Sequence, residues 1–69
     1  MSKHVNITIG PMEPPLTDQL HGYMPDATAR SFEADRTSMI RLFLNDLITD
    51  GEYNKAIKRL GKKIQEAIV

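Results

Sequence analysis

Near the start of the chain, polar and apolar residues alternate strictly. Val5, Ile7 and Ile9 are apolar and β-branched, whereas His4, Asn6 and Thr8 are polar. A period of two with these residue types predicts a half-buried β-strand running from His4 to Gly10. No other segment carries a strand pattern of this quality. A breaker, G-P-M-E-P-P, follows at residues 10–15, and Pro15 suits the first turn of a helix, where its missing N–H is harmless. Leu16, Leu20 and Tyr23 or Met24 then recur at helical spacing, predicting a first helix over residues 15–24 that Pro25 closes or kinks.

Residues 25–35, PDATARSFEAD, fit either a further helical turn capped by Asp26 or a loop. Beyond them Met39, Ile40, Phe43, Leu44, Leu47 and Ile48 make a wide apolar face at paired helical spacing. That face predicts a helix over residues 36–49, N-capped by Asp35 or Thr37 and stopped by Asp50-Gly51. From residue 52 to 68, Tyr53, Ala56, Ile57, Leu60, Ile64, Ala67 and Ile68 share one face at a 3.6 period. Lys55, Lys58, Arg59, Lys62 and Lys63 take the opposite side and its flanks. A final amphipathic helix is expected there, with Gly61 weakening it by about 1 kcal/mol relative to alanine.

The chain has 69 residues and no cysteine. That allows one small core, and such a core rarely supplies more than ~3–5 kcal/mol unless disulfides, a metal or oligomerisation assist it. Disulfides are excluded, and a zinc staple has only His4 and His21 to draw on. Oligomerisation is the remaining support, and pairing two copies of the lone strand would also satisfy its open edges. No stretch approaches the roughly 18 apolar residues of a membrane span, and no signal-length apolar run follows Lys3. A cytoplasmic protein is the expectation.

Formal charge is zero overall but unevenly placed. Residues 1–50 hold four basic and seven acidic groups, a net of −3, and residues 51–69 hold five basic and two acidic groups, a net of +3. The basic helix face is open to four readings: simple solvation, DNA backbone contact, contact with a second dimer, or packing on a partner protein. It lacks Trp and Phe on its apolar side, which argues against a membrane-surface role. Neither a Ser/His/Asp or Cys/His set nor a shared carboxylate pair can be assembled, and Gly61-Lys62 lacks the rest of a phosphate loop. No enzymatic activity, cofactor or metal is expected.

The HVNITIG strand and the DRTSMIRLFLNDLI run resemble the ribbon-helix-helix family of DNA-binding proteins, the Arc- and MetJ-type repressors, over residues 3–50. The resemblance implies a mostly α fold with one N-terminal β-strand. Two chains would form a homodimer through an intermolecular two-stranded antiparallel ribbon, here with an extra C-terminal helix. Residues 1–50 would be the DNA-binding domain and residues 51–69 an appended basic helix. Val5, Ile7 and Ile9 would face inward and join Met39, Ile40, Phe43, Leu44, Leu47 and Ile48 in a dimer core. The outward His4, Asn6 and Thr8 would then contact base edges in the major groove of double-stranded DNA. Backbone N–H groups at the start of the second helix would hold a phosphate, placing Lys3, Arg36, Thr37 and Ser38 on the DNA backbone. The implied function is an autoregulatory, sequence-specific repressor of the kind carried by plasmids or phages. The alternatives are an antitoxin or other interaction module acting through residues 52–69, or an accessory DNA-binding protein of plasmid transfer or partition.

Overall fold

Two prolines mark two helix starts. Each supplies a fixed φ and gives up no N–H that a helix needs at its first residues. Pro15 precedes α1 (Leu16–Gln19) and Pro25 precedes α2 (Asp26–Leu44), and a third helix, α3 (Asp50–Ala67), follows. The computed structural model describes residues 5–68. With neither glycine nor proline between Asp26 and Leu44, α2 runs unbroken through the ambiguous 25–35 stretch. The second helix therefore begins ten residues earlier than its apolar face suggested, and Asp35 and Thr37 are mid-helix residues rather than caps.

The turn between α2 and α3 is built by two local motifs. Asp46 takes a left-handed φ of 56°. Its N–H donates to the Phe43 carbonyl at 3.1 Å, and the Leu47 N–H donates to the Leu42 carbonyl at 2.9 Å. That pair of bonds is a Schellman closure, in which the last carbonyls of the helix find donors. Thr49 then caps α3. Its hydroxyl accepts from the Glu52 N–H at 3.2 Å, while the Glu52 carboxylate accepts from the Thr49 N–H at 2.9 Å. Asp50-Gly51 thus opens a helix instead of closing one. T-D-G-E is a capping box.

The expected β-strand and intermolecular ribbon are not what the chain forms. Among the described residues there is no sheet, and the one strand-like pairing is an isolated bridge between His21 and Met24. The ribbon-helix-helix fold class is therefore corrected to a three-helix protein whose N-terminal segment, residues 5–9, lies on the helices without regular secondary structure. The physical reason is that two glutamine side chains take the place of a partner strand. Gln65 accepts from the Val5 N–H at 3.2 Å and donates to the Val5 carbonyl at 2.7 Å. Gln19 treats Thr8 in the same way, at 2.9 and 2.8 Å, and also donates to the Pro14 carbonyl. A primary amide presents a donor and an acceptor side by side, as a peptide group does. The alternation survives in burial: Val5, Ile7 and Ile9 are half-buried, and Asn6 and Thr8 are exposed.

The core is intramolecular. Leu16, Leu20, Met24, Ala29, Leu60 and Ile64 are buried together, with Ile7, Ile9, Phe32 and Met39 packed against them. Of the expected dimer core, Ile7, Ile9 and Met39 join this cluster, whereas Leu44 and Leu47 stay 67% and 68% exposed. Phe43 stacks on Tyr53 with ring centroids 4.3 Å apart. Because α3 contributes Leu60 and Ile64, the C-terminal helix is part of the same core as α1. The molecule measures 37 × 21 × 17 Å, its long dimension set by the α2–α3 hairpin.

Candidate nucleic-acid interface

The apolar residues of α3 fix its orientation, and the orientation fixes where its charges go. Leu60 and Ile64 are buried and Tyr53, Ala56, Ile57 and Ala67 half-buried, so the opposite side faces water. Lys55, Lys58, Arg59, Lys62 and Lys63 are all exposed there. At 100° per residue they span an arc of roughly 140°, and at 1.5 Å per residue a band ~12 Å long. Among the described residues none of the five makes an ion pair; the salt bridges present join Arg36 to Glu33 and His21 to Asp26. Glu52 lies one turn before the band. Its carboxyl is held below the ordinary carboxylate range, chiefly by the backbone N–H of Thr49, then by the Thr49 hydroxyl, with Lys55 adding to the effect.

Asn6 is brought to this band. It shares a shallow groove of about 350 Å³ with Lys62, Gly61 and Gln65. Thr8 is exposed as well, but its hydroxyl lies 3.4 Å from the Gln19 amide oxygen and its backbone is clamped by the same side chain. His4 and Lys3, the other expected base and phosphate contacts on the strand, lie outside the described residues.

The phosphate site expected at residues 35–38 is not built. Its N–H groups lie inside α2 and are bonded along the helix, so no free helix N-terminus exists there. Thr37 is exposed, its hydroxyl 3.4 Å from Glu33, and Ser38 lines the α2–α3 groove across from Arg59 and Lys63. Arg36 has another task. Only 6% exposed, it donates to Glu33 at 2.8 Å and to the carbonyls of Gly10 and Glu13 at 2.8 and 2.9 Å. Glu33 in turn accepts from the Leu16 N–H at 2.8 Å, supplying the cap that Pro15 cannot give α1. This pair, Arg36 buried and Glu33 half-buried, pins the proline-rich turn to α2. Its guanidinium is spent on structure and is not offered to DNA.

A wider cleft, about 480 Å³, lies between Thr17, His21, Asp26 and Arg30. His21 and Asp26 approach to 3.7 Å there, but both side chains are more than seven-tenths exposed. Compared with family models, curated proteins and solved structures, the chain matches none.

Proposed function

We propose that this chain is a non-catalytic DNA-binding protein that lays the exposed basic face of α3 against the phosphate backbone of the duplex. The supporting observation is the band of five exposed cations without ion-pair partners among the described residues. Lysine and arginine that neutralise phosphates release condensed counterions, so such binding weakens steeply with salt. With no ribbon among the described residues to enter the major groove, backbone contact dominates and sequence preference is modest; Asn6, which shares a groove with Lys62, is the side chain we assign to a base edge. Repression then follows by occlusion wherever the protein covers a promoter.

The test is fluorescence anisotropy of a labelled duplex across a salt series. Five contacts give a slope of about −4 to −5 in log K against log salt, and changing Lys55, Lys58 and Lys62 to Gln lowers its magnitude by roughly 3. Absence of binding at low salt, or a slope indifferent to the triple substitution, overturns the proposal. Comparing the gene's own upstream DNA with random duplex gauges the operator-specific form of the reading.

A further inference from the structure

We infer that a second copy of this chain docks in the open groove between α2 and α3, giving a four-helix dimer. The groove, about 310 Å³, has Met39 and Leu60 in its lining, an Asp35 and Ser38 rim on α2, and an Arg59 and Lys63 rim on α3. Asp35, Ser38 and Met39 continue to Leu42 at i, i+3, i+4 and i+7, the spacing of one helix face that packs against another helix. Leu42 is 40% exposed at the end of that stripe.

The charges on the two rims choose the occupant. One rim is acidic and the other basic, and these belong to different helices of the same hairpin. Two hairpins laid groove to groove about a two-fold axis parallel to the helices set α2 of one copy over α3 of the other. Every helix then has antiparallel neighbours, as in an up-down-up-down bundle. That axis preserves height along the bundle, so Asp35 of each copy meets Lys63 and Arg59 of the other, twice over. A perpendicular two-fold instead sets α3 on α3 and opposes like charges, which is unfavourable. The groove is thus self-complementary in one arrangement. Its docked copy covers the half of the hairpin that the N-terminal segment and α1 leave open. Arg59 and Lys63 then serve the interface, and the cations left to DNA are Lys55, Lys58 and Lys62 of each copy, six in the dimer against five in a lone chain.

The experiment is sedimentation of the purified chain in the absence of nucleic acid, so that its outcome is separate from that of the DNA reading. The wild-type chain is expected to dimerise reversibly, in the micromolar range of small interfaces near 100 μM or below. Asp35→Lys alone and Lys63→Asp alone each set like charges across both crossings and are expected to raise Kd about tenfold or more. An equimolar mixture of these two variants restores opposite charges at both crossings and is expected to recover wild-type affinity. Intramolecular repair cannot explain such a recovery, since each chain carries only one change. Helical circular dichroism verifies folding, and Leu42→Glu serves in place of a reversal that loses helix, with the same expected weakening. The inference is overturned if the wild-type chain stays monomeric to roughly 1 mM. It is equally overturned if folded single reversals dimerise as the wild type does, or if their mixture remains monomeric.

Discussion

At one end of the α2–α3 hairpin, Leu16, Leu20 and Met24 close over Ala29, Leu60 and Ile64; at the other, Leu44 and Leu47 face water. The closed end also holds the Arg36–Glu33 pair and the two glutamine clamps, so the chain's long-range polar contacts gather there. The open end is held by local devices: the Schellman turn, the capping box and the Phe43–Tyr53 stack. The difference teaches where stability resides. A closed end fixes the fold through contacts between distant residues, and an end built from local motifs is shaped without burying Leu44 or Leu47.

The sharpest way to break that comparison is to truncate one leucine at each end. Leu20→Ala removes a fully buried side chain and should cost about 3 kcal/mol, most of what so small a core supplies. Leu47→Ala should cost about 0.5 kcal/mol in dilute solution, since that residue is mostly solvated. Urea melts of the two variants check this, and equal losses would erase the distinction between the ends. Gln65→Ala comes next. It removes both bonds to Val5 and should cost roughly 1–2 kcal/mol, with faster amide exchange confined to the N-terminal segment and its contacts.

The smallest effect belongs to the open end. Because the folded-state pKa of Glu52 is depressed, its stabilisation is fully present above the unfolded carboxylate value and disappears as pH falls through the folded one. Melting temperatures of Glu52→Gln and wild type should therefore converge on acidification through that window. The variant keeps an acceptor for the Thr49 N–H but not the charge. A constant difference down to strong acid would contradict the capping-box account.

The helical period of α3 was legible in full, because its apolar and basic residues separate cleanly around the helix. For α2 only the second half could be read. Ala29, Phe32, Met39 and Phe43 follow one helical stripe, but Arg36 occupies a core position within it and breaks the apolar pattern. The T-D-G-E box is equally visible in the sequence, yet Asp50-Gly51 by itself fits a helix stop as well as a helix start. The alternation at residues 5–9 identified the inward side chains correctly and the pairing wrongly. Period reports which face is buried, and says nothing of whether a strand or a pair of amides sixty and eleven residues away satisfies the backbone. Of the candidate site, the basic band could be read from charge alone. The burial of Arg36 could not, because its partners, the carbonyls of Gly10 and Glu13, are backbone groups far along the chain.

The two glutamines also act as a gauge. They grip the chain at Val5 and at Thr8, so the peptide between those posts has a fixed length and cannot slide. Deleting or inserting one residue there would force a choice between releasing a post and turning Ile7 outward, since a shift by one reverses every side chain. A segment with no sheet to hold it is thereby kept in register by two hooks and the count of residues between them.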